Sequence, residues 1–438
     1  MTRGPETTHE PEPMHDRGRV EVQAPAADAG ARHLVIGATG VAGDGIVRHL
    51  LNTTDAPVFA LSRAGRVPPE HVGRVEGIAA DLFHRGSVLA ALRACRPSHV
   101  YYAAHRHPIV GHVDGDGDVH PRAMQGLIRA IAPIAPLLDR LPLSSWWYYD
   151  AINRSAGLLD QGQSGAMLRS VVEALDLDEA RGENGPRHLA VLTGGRAHGV
   201  HLGRALWPGF PEPQRADSPR HPGRSWYFDV EDQLLLRKPG QGRWTWSLHR
   251  PHFILGTATG VPYNIVNALG VWAVLLRDAG LPLIFPGGEA AFAARWDAVD
   301  AELIGAQMLW AARTPAAHDR AWMLTNGGAL RWSVVWPAIA SHFAMEWQVP
   351  PVACTLDDLL ADPAARWDAL RARQGLPPLP FAQVMPLPFL HQAMVVTWDV
   401  HYDDAPSRAL GFDQVRDHVE VITRLLQRLE RTGVLPGR

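Results

Sequence analysis

Three glycines near the start of the chain have a spacing that suits binding of a dinucleotide. Gly37, Gly40 and Gly43 form the pattern G-x-x-G-x-x-G, and Thr39 and Val41 belong to the same turn. The apolar run before the glycines predicts a buried strand, and apolar residues at helical spacing after them predict a helix. Glycines let the backbone approach a pyrophosphate, whose charge the free N–H groups of a helix start favour. The alternative is an ordinary tight turn, but the flanking elements favour dinucleotide binding.

The residues after the second predicted strand distinguish NAD from NADP. A domain that binds NAD typically has an acidic residue here, which holds the ribose 2′-hydroxyl. This chain has Ser62 and Arg63 instead, and a guanidinium beside a hydroxyl suits a 2′-phosphate. The predicted cofactor is therefore NADPH, with a solvated surface arginine as the alternative. Asp81 and Leu82, after the third predicted strand, are expected to flank the adenine.

Many oxidoreductases with a dinucleotide-binding domain of this kind use a catalytic tyrosine together with a lysine four residues later. The lysine lowers the pKa of the tyrosine and holds the ribose. This chain has one lysine, Lys238, and the residue four positions before it is Leu234. The usual tyrosine–lysine pair is therefore excluded.

The elements that must position these residues follow an α/β pattern. Short apolar strands alternate with helices, the strands at 57–61, 77–80, 99–103, 188–192 and 244–249, the helices at 87–94 and 166–175. This alternation predicts a Rossmann-type, doubly wound parallel sheet covered on both faces. Helical patterns at 297–312, 332–343, 356–373 and 412–429 predict a smaller, mainly helical C-terminal lobe that binds the substrate.

The same pattern divides the chain into regions. Residues 1–31 lack hydrophobic periodicity and are expected to be a disordered tail without the apolar core of a secretion signal. Residues 32–255 form the predicted NADP-binding domain, and 256–438 the substrate-binding lobe with returning segments. An insertion at about 106–163 interrupts the domain; a lid, an oligomer contact and a poorly ordered segment are all open interpretations.

Composition narrows the classes of function. Lys and Arg number 42 against 45 Asp and Glu, a net charge of −3, so nothing in the overall charge favours nucleic acid or an anionic membrane. No apolar run is long enough to span a bilayer. Cys95 and Cys354 give no disulfide framework, which suits a reducing cytosol and a cytoplasmic location. The 22 histidines show no metal-site spacing, so no metal is predicted. The single lysine among many Ala, Gly, Arg and Pro residues resembles the coding bias of a high-GC bacterium.

Several ordered motifs resemble the progesterone 5β-reductase/iridoid synthase-like family, an atypical branch of the short-chain dehydrogenases. The resemblance runs from the first strand to the final helix, apart from the insertion. The motifs are LTGGRAH from Leu192, WYFDVED from Trp226, WSLHRP from Trp246, Trp296-Asp297 and LTNGG from Leu324.

The resemblance implies two catalytic residues. The family's tyrosine, the first of a Tyr-Tyr pair, maps onto Tyr227, whose neighbours here are Trp226 and Phe228. The family's lysine maps onto Arg196. Family members typically reduce the C=C bond of enones or enals with NADPH, and the tyrosine stabilises the enolate oxygen. An arginine can act electrostatically on the tyrosine and contact the ribose, but it cannot relay a proton.

The resemblance therefore implies an NADPH-dependent reductase. An arginine at the lysine position, Arg196, suits 1,4-reduction of a small hydrophobic α,β-unsaturated carbonyl compound better than it suits carbonyl reduction. Carbonyl reduction, a redox-neutral biosynthetic reaction and a non-catalytic NADP sensor are the alternatives. A homodimer is one option for the assembly. Glu231, next to Asp232, is expected to have a structural role at a helix start.

The remaining expected site residues fall into two groups. Thr193, Pro251 and Ile254 are expected to complete the cofactor site. The expected substrate pocket, in which a core role is the alternative for most tryptophans, comprises His198, Trp226, Asn264, Trp272, Phe285 and Trp296.

Overall fold

The computed structural model of the protein describes residues 30–105, 163–178, 185–200, 207–221, 225–237, 242–261 and 263–437. Of the expected N-terminal tail it describes Gly30 and Ala31, and Ala31 is buried. The expected insertion lies outside the described residues except for Gln163, and Lys238 also lies outside them.

Seven parallel strands form the central sheet, in the order β11-β6-β5-β4-β1-β2-β3. From β1 the chain first adds β2 and β3 on one side of the sheet and then adds β4, β5, β6 and β11 on the other side. This is the doubly wound arrangement, and it confirms the predicted fold class. Ligands of such sheets bind outside the carboxyl ends of the strands, where the order reverses. The other six strands pair as β7 with β10, β8 with β13 and β9 with β12. In chain order the strands of the described residues are β1 His33–Ile36, β2 Val58–Ser62, β3 Glu76–Ala79, β4 His99–Tyr102, β5 His188–Leu192, β6 Thr245–Pro251, β7 Phe253–Leu255, β8 Leu283–Ile284, β9 Arg295–Trp296, β10 Ala298–Asp300, β11 Arg320–Leu324, β12 Leu330–Arg331 and β13 Trp347–Gln348.

Helices cover both faces of the sheet and form the C-terminal lobe. Apolar residues of α2, α3 and α4 pack on one face, and those of α1 and α7 pack on the other. The helices are α1 Val41–Thr53, α2 Arg85–Cys95, α3 Gln163–Asp178, α4 Trp226–Leu235, α5 Ile265–Asp278, α6 Gly288–Ala293, α7 Ala301–Arg313, α8 Trp332–His342, α9 Leu356–Leu359, α10 Pro363–Arg373, α11 Phe381–Val384, α12 Leu387–Met394, α13 Ala405–Ala409 and α14 His418–Arg431.

The C-terminal lobe has a separate core around α5. Every residue of α5 from Ile265 to Leu276 is buried, so this helix is apolar on all sides. Helix α14 contributes an apolar stripe at helical spacing and begins at its N-cap Asp417. No helix in the described part of the chain is long and apolar enough to cross a membrane.

Three helical predictions in this lobe had wrong boundaries. The segment 297–312 begins as strand β10, and the helix starts only after Asp300, whose side chain accepts a hydrogen bond from Glu302 N–H. The segment 356–373 is divided, because Asp362 caps a new helix whose first residue is Pro363. The segment 412–429 becomes helical only after Asp417. In each case an aspartate N-cap sets the true start.

Buried histidines form a row across the sheet. His33, His99 and His188 lie in register on β1, β4 and β5. Nε2 of His188 lies 2.8 Å from Ser247 Oγ, which lies 2.8 Å from His249 Nε2. Burial lowers the pKa of His33 to about 3 and that of His249 to about 4, and it lowers the pKa of His188 well below the usual range. These side chains are therefore neutral at neutral pH.

Acidification from pH 7.5 to pH 5 is expected to destabilise the protein. The pKa values of folded His33 and His249, about 3 and 4, lie below that of an unfolded histidine, about 6.5. The unfolded state therefore binds protons first, so stability present above about pH 6.5 is lost as the pH falls towards the folded values. At pH 5 each histidine should account for about 1–2 kcal/mol of this loss. Urea denaturation at the two pH values measures the change.

The matched variant is His249→Gln, which keeps hydrogen-bonding groups but does not titrate. It should show a smaller difference in stability between the two pH values than the unmodified protein. Equal or greater stability of the unmodified protein at pH 5 would contradict the prediction.

Candidate active site

A cavity of about 400 Å³ lies at the carboxyl ends of the central strands. Its walls come from the glycine turn after β1, from residues 102–105 at the end of β4, from residues 192–196 at the end of β5 and from residues 251–254, where β6 ends and β7 begins. This is the edge of the sheet at which its strand order reverses, where a doubly wound fold binds its ligand.

The glycine turn fits a pyrophosphate. A Cβ atom on Gly37, where φ is +87°, would lie 2.7 Å from the backbone nitrogen of Ala104, and one on Gly43 would lie 2.0 Å from the carbonyl oxygen of Gly37. A Cβ on Gly40, by contrast, would lie at an ordinary 3.5 Å from the carbonyl oxygen of Gly37, and Gly40 is the N-cap of the 13-residue α1, without a side-chain cap. The start of α1 is thus free for an anion, and the helix dipole favours one there.

The other residues of the turn have different positions. Thr39 and Val41 line the cavity with Gly37 and Gly40. Gly43 is not part of the cavity wall; its missing side chain allows α1 to approach the turn closely.

The residues expected at the adenosine end lie outside the cavity, at the end of β2 and just after β2 and β3. The Oγ of Ser62 accepts a 2.6 Å hydrogen bond from Arg66 N–H, while Arg63 is exposed. The carboxylate of Asp81 accepts a 2.9 Å bond from Phe83 N–H, which holds the pKa of Asp81 below its usual range. Asp81 therefore stabilises its own turn. Leu82 packs against the core on the α2 side of the sheet.

Tyr227 lies in the first turn of α4 and faces the cavity. The N-cap Ser225 accepts a hydrogen bond from Tyr227 N–H at 3.3 Å. The Tyr227 hydroxyl lies 3.3 Å from the position that a Cβ on Gly194 would take, so the phenol approaches the strand end directly. Arg196, in a short 3₁₀ turn from Gly195 to His198, lines the same cavity. Burial raises the pKa of Tyr227, and the Arg196 cation partly opposes that shift.

A buried ion pair between Arg250 and Glu231 holds together the elements that carry the site residues. Arg250 makes two hydrogen bonds to Glu231, 2.7 Å from Nε to Oε1 and 2.8 Å from Nη2 to Oε2. Both side chains are almost fully buried. The Thr193 hydroxyl donates to Glu231 Oε1 at 3.0 Å. The pair therefore connects the end of β6, the helix that carries Tyr227 and the loop after β5.

His198 belongs to this support and does not line the cavity. Its Nε2 lies 3.2 Å from Arg250 Nη1, and its Nδ1 lies 3.4 Å from the carbonyl oxygen of Pro219. Burial, with the Arg250 charge, lowers the pKa of His198 to about 4. A neutral ring that accepts from Arg250 and donates to Pro219 satisfies both contacts. His198, expected in the substrate pocket, is therefore placed behind the cavity wall, in contact with Arg250.

The rest of the wall is mostly apolar and aromatic. Trp226 stacks on Tyr227 with ring centroids 3.8 Å apart, and His105 stacks on Trp226 at 4.1 Å. Tyr263 meets Phe389 of α12 edge-on at 5.1 Å. The expected cofactor residues Thr193, Pro251 and Ile254 also line the cavity.

Four residues expected in the substrate pocket lie elsewhere. Asn264 is the buried N-cap of α5 and donates to the carbonyl oxygen of Ala258 at 2.6 Å. Trp272, Phe285 and Trp296 are fully buried in the core of the C-terminal lobe and do not line the cavity. The lobe needs large apolar side chains for its own packing, which is the core role that remained as the alternative.

Sequence reasoning missed several residues of the site. His105, His252, Tyr263 and Phe389 all line the cavity, and Arg250 holds Glu231. His252 directly follows the expected cofactor residue Pro251, so its place after a strand was a usable signal. Tyr263 and Phe389 come from loops and a helix whose approach to the sheet no local pattern indicates. Among the described residues, no group of three or more His, Cys, Asp or Glu side chains is placed to hold a metal ion.

The doubly wound sheet and the glycine turn define a Rossmann-type α/β protein whose turn is suited to a dinucleotide. No protein-family model matches the sequence. The chain is similar to (S)-8-oxocitronellyl enol synthase of Nepeta racemosa, 30% identical over 251 residues, which cover 56% of this chain and 61% of that enzyme. It is similarly related to 3-oxo-Δ4,5-steroid 5β-reductase of Arabidopsis thaliana, 30% identical over 213 residues, 49% of this chain and 53% of that enzyme. The matched part thus spans somewhat more than half the length of these relatives.

Among solved structures, the fold is similar to that of the Bordetella bronchiseptica enzyme WbmH in complex with NAD⁺. The TM-score is 0.53 at 13% identity, and the match covers 92% of this chain and 99% of WbmH. The two sequence relatives confirm the resemblance to the progesterone 5β-reductase/iridoid synthase-like family and support the prediction of an oxidoreductase. The structural match shows the fold alone. The sequence relatives are plant enzymes, so they give no support to the bacterial origin inferred from composition.

Substitution Glu231→Gln is expected to destabilise the protein by about 3–5 kcal/mol, because it leaves the Arg250 cation buried with its charge uncompensated. The free energy of unfolding from urea denaturation measures this loss. The matched control is Asp232→Asn, since Asp232 binds Arg220 near the surface at 2.6 Å and should change stability by less than about 1 kcal/mol. Equal losses in the free energy of unfolding for the two substitutions would show that the buried pair contributes no more to stability than the pair near the surface.

Proposed function

We propose that this protein is an NADPH-dependent reductase that catalyses 1,4-reduction of the C=C bond of a hydrophobic α,β-unsaturated carbonyl compound. The observation that carries the proposal is the single cavity shared by the glycine turn, Tyr227 and Arg196. A bound nicotinamide supplies a hydride for the β carbon. The residues of this chain must bind the substrate and hold its oxygen, and the enolate then takes a proton from solvent at the α carbon to give the saturated carbonyl compound.

Tyr227 is suited to hold the substrate oxygen. Because burial raises its pKa, the phenol is protonated at neutral pH and can donate a hydrogen bond to the carbonyl oxygen. That bond strengthens as negative charge develops on the oxygen in the enolate, so it lowers the barrier. The stack of Trp226 and His105 holds the tyrosine ring in position.

Arg196 takes the position of the family lysine and has a narrower role. Its guanidinium stays charged and lowers the pKa of Tyr227 electrostatically, against the effect of burial. It cannot release a proton, so a relay through this side chain is excluded. Stabilising an enolate needs the charge and no relay, which favours C=C reduction over carbonyl reduction.

The aromatic wall indicates the kind of substrate. Phe253, Tyr263 and Phe389 line the cavity together with Tyr227, and such surfaces bind apolar molecules by excluding water. The exposed Arg63 after β2 supports NADPH as the cofactor, because a guanidinium can bind a phosphate through two parallel hydrogen bonds.

Substitution Tyr227→Phe is expected to lower kcat about 10²- to 10³-fold, because it removes the hydrogen bond to the enolate oxygen. NADPH oxidation with a panel of small enals and cyclic enones measures the rate, and mass spectrometry identifies the saturated product. Arg196→Lys should keep more activity than Arg196→Ala. The matched control is Tyr101→Phe, since Tyr101 is a core tyrosine whose hydroxyl lies 3.1 Å from His33 Nδ1.

Three results would overturn this proposal in different ways. Alcohol products would indicate carbonyl reduction, and isomerised products without net NADPH use would indicate a redox-neutral enzyme. Tight NADPH binding with no turnover of any compound would favour the non-catalytic sensor.

Substitution Arg63→Ala is expected to raise the Kd for NADPH about tenfold and to leave the Kd for NADH unchanged, because only NADPH carries the 2′-phosphate. Quenching of protein fluorescence by each dinucleotide measures the two constants, and NADH serves as the internal control. Equal changes for both dinucleotides would assign Arg63 to another part of the cofactor or to the fold.

A further inference from the structure

Tyr402 is a buried tyrosine that the proposed chemistry does not use. Its side chain does not line the cavity, but its hydroxyl lies directly against the loop after β5. A Cβ atom on Gly195 would lie 1.4 Å from the Tyr402 hydroxyl oxygen, and the backbone N–H of Gly195 donates a hydrogen bond to that oxygen. The absence of a side chain on Gly195 therefore makes room for the phenol.

The two glycines before Arg196 each meet a tyrosine hydroxyl. The Tyr227 hydroxyl lies 3.3 Å from the position of a Cβ on Gly194, and the Tyr402 hydroxyl takes the position of a Cβ on Gly195. Arg196 follows directly and lines the cavity with Tyr227. The bond to Tyr402 therefore fixes the backbone immediately before Arg196, next to the point at which Tyr227 approaches it.

A second contact holds the other end of the same turn. Trp398 Nε1 donates to the carbonyl oxygen of Val200 at 3.1 Å, and Val200 comes two residues after the 3₁₀ turn ends. We call residues 398–403 the strap. The strap also pairs with the loop at Gln214, whose backbone N–H donates to the carbonyl oxygen of His401 at 2.7 Å. The strap thus contacts the turn at both of its ends.

The strap is itself fixed to the C-terminal lobe. Val400 N–H donates to the carbonyl oxygen of Arg295 in β9 at 2.9 Å, and Asp297 N–H donates to that of Val400 at 3.1 Å. The buried carboxylate of Asp297 accepts a hydrogen bond from Tyr402 N–H. These bonds hold the backbone of Tyr402 independently of its contact with Gly195.

The position of Arg196 determines the strength of its effect on Tyr227. The cation opposes the rise in the pKa of Tyr227 that burial causes, and the interaction between two charges weakens as their separation grows. Without the Tyr402 hydroxyl, the Gly195 N–H loses its acceptor and a space opens beside it. The turn can then move, and Arg196 moves with it.

We infer that Tyr402 is a positioning residue, which holds the turn that carries Arg196 in place beside Tyr227. The inference rests on the proposed function for the roles of Tyr227 and Arg196. The bond between Tyr402 and Gly195 can nevertheless be tested without any turnover.

The first experiment measures the amide group of Gly195 by nuclear magnetic resonance. The chain has three Gly-Gly pairs, which end at Gly195, Gly288 and Gly328. Glycine labelled with ¹³C at the carbonyl and ¹⁵N at the amide therefore gives one signal for each pair in a carbonyl-selected spectrum. Tyr402→Phe should move the Gly195 proton signal upfield and speed its exchange with solvent about tenfold, because one hydrogen bond is lost. Gly288 and Gly328 serve as internal references, and Gly194→Ala assigns the Gly195 signal by removing the labelled carbonyl before it.

The second experiment measures kcat in a double-mutant cycle of Tyr402→Phe and Arg196→Ala, with the enals and enones of the reductase assay. Tyr402→Phe should lower kcat about five- to tenfold when Arg196 is present and less than about twofold when it is replaced, because the effect passes through the guanidinium. The matched control is Tyr101→Phe, which removes another buried hydroxyl and should change kcat by the same factor in both backgrounds.

The dependence of kcat on pH distinguishes positioning from a general loss of structure. Activity is lost at high pH as Tyr227 gives up the proton through which it holds the substrate oxygen. Because Arg196 lowers the pKa of Tyr227, displacing the guanidinium should move this loss to higher pH in Tyr402→Phe, as Arg196→Ala does. A general loss of structure would lower kcat at every pH without moving the profile.

An unchanged Gly195 signal in Tyr402→Phe, or the same loss of kcat with and without Arg196, would overturn the inference. Absence of turnover with every compound would count against the proposed reductase alone, since the Gly195 signal still decides whether Tyr402 holds the turn.

Discussion

The buried pair of Arg250 and Glu231 is the contact on which the geometry of the site depends. It joins the last residues of β6 to α4, the helix whose first turn holds Tyr227, through two parallel hydrogen bonds. The remaining donors and acceptors are also used, since Arg250 donates to the carbonyl oxygen of Ala216 and Glu231 accepts from Thr193. A buried ion pair is weak evidence for stability by itself. Here its directional bonds fix the orientation of α4 on the sheet, and with it the position of the phenol.

Around that fixed point, three different parts of the chain meet in one cavity. The sheet supplies the glycine turn and the loop with Arg196, α4 supplies Tyr227, and the C-terminal lobe supplies Phe389. The lobe can do so because its own core is dense, with α5 enclosed on all sides. The cavity therefore lies between two parts of the chain that each have their own buried core.

The parts of this architecture that follow from local patterns were predictable. Strand β5 was placed at its observed boundaries, and the glycine turn follows β1 as expected. Tyr227 and Arg196 were found through the resemblance, and the structure brings them to one cavity. Trp272, Phe285 and Trp296 were misplaced because a large aromatic side chain has the same composition signal in a core and in a pocket.

What escaped prediction depends on tertiary contacts. Glu231 was expected to have a structural role at a helix start, but its partner Arg250 lies 19 residues away. No periodic pattern indicates such a pair. Aspartate N-caps at positions 300, 362 and 417 were visible in the sequence and could have corrected the helix boundaries, because Asp at a helix start is a local signal.

The link between the two ends of the described chain has a consequence for biosynthesis. Asp44 in α1 is almost fully buried, and Arg428 of α14, 384 residues later, bonds to it at 2.8 Å. His71 also contacts Asp44, at 2.9 Å, and Arg48 of α1 itself lies 3.5 Å from the same carboxylate, so Arg428 supplies the shorter of two contacts with an arginine. On the ribosome, the first βα unit therefore emerges with Arg48 but long before Arg428, which makes the direct hydrogen bond to its buried carboxylate. The cofactor-binding half can reach its final packing only after α14 has been synthesised, so translation of the C-terminal lobe sets the earliest time of complete folding.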